Sequence, residues 1–296
     1  YNIYEYTTPF DVDGSPWNSI CLAPSYDNSA SIYDGGQPRC FLDPPYNDKL
    51  GAIYERFHDK DVRKSNYVFD FNTNTWSGIF LNGPMRANYG TGDFLEADAD
   101  REGQPLIYVD QVGPFAVQGQ GTSRDVEDVM SPRWGETNSG VRLVKYPLLP
   151  SSSGMDFREP DEVEFRITEA IYMLAECKMR ENDFNGAKEL VNSVRQRYFS
   201  PTDWATVKDD PGRIHDGFDL DWMLDQWGQE FLGEGYRRRT DLRRFDKFTQ
   251  GQWWFFGRAN DDGFTYPAKR DRKYEWYPLP EIALSSNPNL TQNPSY

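Results

Sequence analysis

The densest grouping of side chains able to do chemistry lies in residues 227–241, Trp-Gly-Gln-Glu-Phe-Leu-Gly-Glu-Gly-Tyr-Arg-Arg-Arg-Thr-Asp. Glu230 and Glu234 stand four apart, and Arg237 and Arg238 follow at three and four from Glu234, so on a helix these charges share one face. Paired carboxylates are the material of general acid and base catalysis, as in glycoside hydrolysis. The same residues also build a half-buried ion network that fixes how two helices join. The network is favoured, because each acid has a cation at helical spacing and no nucleophile or histidine lies nearby. Gly233 and Gly235, poor helix formers, point to close packing or a break within the stretch.

Elsewhere the usual reactive groups are sparse. The two histidines, His58 and His215, are far apart and have no metal-ligand neighbours, which argues against a zinc site or a Ser-His-Asp mechanism. Each reads as a surface or hydrogen-bonded residue. Of three cysteines, Cys21 and Cys40 lie in Pro/Gly/Asp-rich chain where a bridge and two free thiols are both compatible, and Cys177 reads as a free thiol on the apolar side of a helix. Asp70, Asn72 and Asn74 resemble the start of a calcium loop, but Thr75 and Leu81 occupy the positions that need Gly and Glu. Glu96, Asp98, Asp100 and Glu102 read as a solvated acidic turn rather than a cation site. Gly119-Gln-Gly-Thr lacks the Lys-Ser/Thr of a phosphate loop. No cofactor or metal is therefore expected. The formal net charge of -15 argues against nucleic acid and anionic membrane surfaces as partners.

Aromatic residues make up 16% of a chain whose hydrophobic share is only 38%. Rings set among Asn, Asp and Gly suit sugar recognition, where a flat ring meets the C–H face of a pyranose and polar groups bond its hydroxyls. The rings lie on two unlike stretches. Residues 1–150 are rich in Pro and Gly, with a helix expected over 49–63 (Leu50, Ile53, Tyr54 and Phe57 at helical spacing, Asp48 as cap). Short strands are expected at 67–71 and 76–81, around a turn at 72–75, with a third at 106–109. Residues 151–296 turn helical. A first helix over 162–181 places Ile167, Ala170, Ile171, Leu174 and Lys178 on one stripe with Ala175 beside it. A second over 184–198 places Ala187, Leu190, Val191 and Val194 together. With a turn at Asn182-Asp183 these form a tetratricopeptide-like antiparallel hairpin crossing at Ala175 and Ala187. A third helix is expected from about Asp219 through the charged stretch, and a fourth from Asp241 to about Phe248. The aromatic residues of 251–277 read as packing under a loop, and the Pro-rich end as an extended, fixed tail with no more than one helical turn.

Five pieces in order then form a resemblance: Ser139-Gly-Val-Arg-Leu-Val-Lys-Tyr146; Arg166-Ile-Thr-Glu-Ala-Ile-Tyr-Met-Leu-Ala-Glu176; Val191-Asn-Ser-Val-Arg-Gln-Arg197; Glu230-Phe-Leu-Gly-Glu-Gly-Tyr-Arg237 with Asp241-Leu-Arg-Arg244; and Pro278-Leu-Pro with Gln292-Asn-Pro-Ser-Tyr296. In these the chain resembles the C-terminal half of the SusD/RagB family, glycan-binding lipoproteins of the Bacteroidetes outer membrane. The pieces span residues 135–296, and the first 130 residues match only in character. Ser295 departs from the pattern, standing where the family usually has Gly.

The resemblance implies a mainly α, SusD-like fold, a tetratricopeptide-like helical scaffold with long irregular loops and a small β element. It implies non-enzymatic capture of a glycan oligosaccharide at the outward face of the outer membrane, and its delivery to a TonB-dependent transporter. In the family the ligand site is built from variable loops ahead of the last helical hairpin. The expected rings are therefore Trp17, Tyr26, Tyr33, Trp76 and Tyr89, with Arg86 and Asn88 as hydrogen-bonding partners. The family's lipidated Cys and earlier helical units have no counterpart in the sequence. The missing N-terminal part is expected as a second chain that carries the lipid anchor, with the helical hairpin packed on its helices. Capture of an extended peptide, as in the RagB branch, is the alternative within binding proteins. A hydrolase using Glu230 and Glu234, and a structural fragment with no ligand, are the readings outside it.

Overall fold

A computed structural model describes residues 45–47, 50–51, 53–86, 90–95, 103, 105, 107–108, 141–143, 163, 165–234, 237–250, 252–253, 259–260, 263–264, 268–269 and 271–296. The helices carry the main core. Helix α2 (Ile167–Arg180) and helix α3 (Phe184–Arg195) form the expected antiparallel hairpin. Asn182, at φ 66, turns the chain, and the Asp183 carboxylate accepts from the Gly186 N–H at 2.9 Å to cap α3. Ala175 and Ala187 are fully buried, which lets the two helices approach closely.

The face that α2 buries overlaps the expected stripe only in part, with Ile171 packed against the core beside Ala175. Thr168, Tyr172, Ala175, Glu176 and Met179 face inward. Ile167 is 74% exposed and Leu174 51%, and Cys177 is an exposed free thiol rather than a core residue. The neighbour decides the face. Helix α5 (Leu220–Glu230) presents Trp227, and Phe231 follows it; the Tyr172 ring meets them edge-on at 5.3 and 5.7 Å. Glu176 turns inward to charged partners on later helices. Helix α3 buries Ala187, Val191 and Val194, as its spacing predicts.

Helix α4 (Pro201–Val207) starts on a Ser200 cap with Pro at its first position. Asp219 caps α5 through the Trp222 N–H at 2.8 Å. Eight of the eleven residues of α5 are buried, Asp225, Gln226 and Glu230 among them, so it is the central helix. It ends at Glu230, and the chain then passes through Gly233 at φ 73, a conformation that favours glycine. The charged stretch is thus broken rather than carried on the third helix. Helix α6 (Arg238–Arg244) stops short of the expected Phe248, with Asp246 at φ 57.

The expected helix over 49–63 is reduced to one turn, α1 (Ile53–Arg56), and a 3-10 turn, Val62–Lys64. Leu50 belongs instead to strand β2 (Leu50–Gly51), paired with β1 (Pro45–Asn47). Strands β3 (Val68–Asp70) and β4 (Thr75–Ser77) form the expected hairpin, with Phe69 opposite Trp76. Gly78 follows at φ 72, where a Cβ would come within 2.3 Å of the Ser65 and Asn66 carbonyl oxygens. Strand β5 (Phe80–Leu81) pairs with β8 (Arg142–Leu143), and β6 (Gly83–Pro84) with β7 (Ile107–Tyr108). Phe57, Phe80, Val141 and Leu143 pack with Leu232, so this second core reaches the helices through the end of α5.

Among the later two-residue strands, β9 (Gln252–Trp253) pairs with β12 (Ala268–Lys269), and β10 (Ala259–Asn260) with β11 (Gly263–Phe264). The aromatic residues at the end of this region are not packed under a loop as expected, since Tyr274, Trp276 and Tyr277 are exposed. The tail holds a longer helix than expected, α7 (Glu281–Ser286), because Pro280 serves as its N-cap instead of interrupting it. The tail is pinned by paired amide bonds between Leu279 and Gln292 at 2.8 and 2.9 Å, and by the Tyr296 hydroxyl donating to the Trp276 carbonyl at 3.1 Å. Ser295 stands at φ 74, which explains why glycine suits that position. The architecture is mainly helical with small β elements. No helix among the described residues is long and apolar enough to cross a membrane.

The face assignment of α2 is checked by truncation. Leu174→Ala is expected to cost under about 1 kcal/mol, and Met179→Ala about 2–5 kcal/mol, in urea unfolding. Equal losses would place both side chains in one core.

Candidate functional site

Glu230 has been drawn into the protein. Its side chain is 1% exposed, at the point where α5 ends. Arg166 Nη1 reaches its Oε1 at 2.6 Å and Arg63 Nη1 its Oε2 at 3.3 Å, and Arg197 pairs with it as well. Arg166 also donates to both oxygens of Glu234, at 2.7 and 3.0 Å. The cations on these two acids thus come from distant chain. Arg237, expected beside Glu234, instead holds Glu169 at 2.6 Å and Asp241 at 3.2 Å, and Arg238 donates to the Leu224 carbonyl at 2.9 Å. The break at Gly233 explains this, because helical spacing does not survive a residue at positive φ.

Arg63 lies between rings, 3.6 Å from the Tyr198 centroid and 4.9 Å from that of Phe57, and Arg166 lies 4.3 Å over Phe231. Burial pulls both guanidiniums down, but the acids outweigh it: Asp61 and then Glu230 hold Arg63 above its ordinary pKa, and Glu234 and Glu230 do the same for Arg166. A second knot joins Glu176 to Arg244 at 2.8 Å, to Arg180 at 2.9 Å and to the Trp227 indole N–H at 2.9 Å. A third joins Asp225 to Arg56 and to His215 Nε2 at 2.7 Å. Burial alone would raise the Asp225 carboxyl; Arg56 and His215 reverse this and hold it at about 2. These carboxylates are enclosed and occupied by cations, which suits clamping rather than substrate contact.

Of the seven residues expected to meet ligand, Trp76 and Arg86 are described, while Trp17, Tyr26, Tyr33, Asn88 and Tyr89 lie outside the described residues, as do Cys21, Cys40 and the acidic turn at 96–102. Trp76 is 48% exposed on β4. Its cross-strand partner Phe69 is buried, and Phe71, two residues on, is half exposed with its ring 5.0 Å from that of Phe69. Cross-strand pairing puts Phe69 and Trp76 on one face, and the ring contact brings Phe71, in the turn after β3, beside Phe69. Arg86 is exposed, stacks at 3.7 Å on Phe94 and donates to the Gly92 carbonyl at 3.1 Å. The sequence reading missed Phe71 and Phe94; the period-two spacing of Phe69 and Phe71 was the available signal for the first. Trp276 beneath Arg243 and Tyr277 beneath Arg239 form a further exposed group, where packing under a loop was expected. No cluster of metal-ligating side chains occurs among the described residues.

A family model described as the SusD family, covering SusD and RagB, matches residues 1–296. The chain belongs to the SusD/RagB family. Members of this SusD family are typically non-enzymatic binding proteins. The starch-binding protein SusD of Bacteroides thetaiotaomicron is 28% identical over 164 residues, 53% of this chain and 26% of that protein. SusD superfamily structures from Bacteroides fragilis and Parabacteroides distasonis align at TM-scores of 0.42 and 0.42, with 15% and 13% identity. They cover 96% and 97% of this chain and 49% and 48% of their own. The chain thus spans about a quarter of the SusD relative and about half of each solved protein.

Two outcomes follow for the charged core. Glu230→Gln is expected to lower stability by about 3 kcal/mol or more, because it leaves buried arginines short of a counter-charge; chemical denaturation measures it. The Asp225 carboxyl, held at about 2 against an ordinary 3.8, gives a signed pH dependence. Below 3.8 the unfolded chain takes up this proton first, so about 2 kcal/mol of stability is lost as pH falls from about 4 to about 2. Asp225→Asn should flatten that part of a stability-versus-pH curve, and an unchanged slope would contradict the assignment.

Proposed function

We propose that the chain is part of a non-enzymatic oligosaccharide-capture protein at the outward face of the outer membrane, which hands its ligand to a TonB-dependent transporter. The family match across residues 1–296 carries this reading. The relative named for starch binding favours a glycan over a peptide as ligand. The hairpin face of Phe69, Phe71 and Trp76 supplies what a sugar needs. A buried ring supports two half-exposed ones, whose surfaces are available to pyranose C–H groups at little entropic cost. We place the ligand across this face, with Arg86 bonding hydroxyls, and keep Trp17, Tyr26, Tyr33, Asn88 and Tyr89 as proposed ligand residues.

The enclosure of Glu230 and Glu234 supports binding over hydrolysis. A general acid must reach the glycosidic oxygen, and these oxygens face arginines inside the protein. Trp76→Ala is expected to weaken oligosaccharide binding about tenfold or more in calorimetry without a change in unfolding midpoint. Unchanged affinity would remove Trp76 from the site. Incubation with the same glycans should release no new reducing ends.

A further inference from the structure

A polar cavity of about 280 Å³ opens between α1, the loop around residues 210–215 and the buried face of α5. Most charges on its wall are already matched. Arg56 and His215 hold Asp225, Lys64 holds Asp59 at 2.6 Å, and Asp61 holds Arg63 at 2.6 Å. Asp210 lies 3.7 Å from His58.

Arg195 is the exception. It lines the cavity and is 7% exposed, yet its one hydrogen bond among the described residues runs from Nη1 to the neutral Asn192 Oδ1 at 2.9 Å, and it has no ion pair there. The nearest rings under it, Trp222 and Trp204, lie 5.8 and 5.9 Å from the guanidinium carbon, the outer limit of a useful cation–π contact. Burial pulls this guanidinium below its ordinary pKa, the opposite of Arg63 and Arg166. A guanidinium has five N–H donors, and the acids that act on Arg195, Asp61 and Asp210, form no ion pair with it, so a carboxylate that reached it directly would satisfy donors the described residues leave open.

We propose that this cavity binds a small molecule bearing a single carboxylate, held as a forked pair by Arg195. Arg195 is the buried arginine on this wall with no ion pair among the described residues, and a single carboxylate matches it. The four aspartates on the same wall, Asp59, Asp61, Asp210 and Asp225, oppose a dianion such as sulfate. The volume sits at the lower edge of the roughly 300–1,000 Å³ range of small-molecule sites, so it admits about one sugar-sized ring rather than a chain. Gln226 on the wall offers its amide to hydroxyl groups, and Gln229, whose Nε2 already donates to the Arg56 carbonyl at 3.0 Å, offers its carbonyl oxygen. A uronic acid combines these features. The site shares no residue with the hairpin face, and the inference stands whether or not that face binds glycan.

The test is calorimetry on the full chain with glucuronate, and with glucose and inorganic sulfate as neutral and dianionic probes. Glucuronate is expected to bind, with glucose and sulfate at least about tenfold weaker. Arg195→Gln should lower glucuronate affinity by about tenfold or more. Asp210→Asn, an exposed change at the rim that leaves the core alone, should raise it. Failure of the unaltered chain to bind glucuronate, equal or tighter binding of glucose or sulfate, or indifference of the affinity to Asp210→Asn would overturn the proposal. The last readout holds even where Arg195→Gln unfolds the chain.

Discussion

One buried carboxylate sets the geometry of this protein. Glu230 ends the central helix, and three arginines converge on it from separate places: Arg63 from the turn after α1, Arg166 from the start of α2, and Arg197 from the end of α3. A charge this deep is tolerated only if its oxygens are satisfied, so each of these chain segments has to arrive in register for any of them to be stable there. Apolar packing supplies most of the free energy, but it is not directional. The arginine–glutamate geometry is directional, and it ties the strand-bearing segment to the helical one. Glu176 and Asp225 repeat the device at two other points along the same helices.

On the proposed function, this arrangement separates holding from binding. Most of the interior carboxylates among the described residues are matched by arginines, while Trp76 of the β3–β4 hairpin and Phe71 beside it are half exposed over buried Phe69. A capture protein needs that division. Its ligand face can then change with the loops that bear it, while the scaffold keeps one form. The exposed apolar stripe of α2, Ile167 and Leu174 with Met173, shows that this helix has a second face left uncovered among the described residues.

Much of the helical organisation was legible because its signals are local. The turn at Asn182-Asp183, the helix start near Asp219 and the small residues at the α2–α3 crossing all rest on signals within a few positions of themselves. The face of α2 was only partly legible, since Ile171 and Ala175 do turn to the core but Ile167 and Leu174 are exposed, and the choice was made by Trp227 and Phe231 far along the chain. The partners of Glu230 were hidden for the same reason. Helical spacing pointed to Arg237 and Arg238, whereas the break at Gly233 redirected both. The five sequence pieces behind the family resemblance nevertheless meet the structure well: Arg166, Arg197, Glu230, Glu234, Asp241 and Arg244 belong to them and to the ion network. Of the candidate ligand residues, Trp76 was legible as a strand aromatic, but the ring set around it emerged only from cross-strand register.

The central claim is that Glu230 couples segments distant in sequence. A double-mutant cycle between Arg63 and Glu230, using Arg63→Met and Glu230→Gln and read by chemical denaturation, measures that coupling directly. The account predicts a coupling energy above about 1 kcal/mol, the double variant losing less than the sum of the single ones. Additive losses would show that the two residues stabilise the fold independently, and would contradict it.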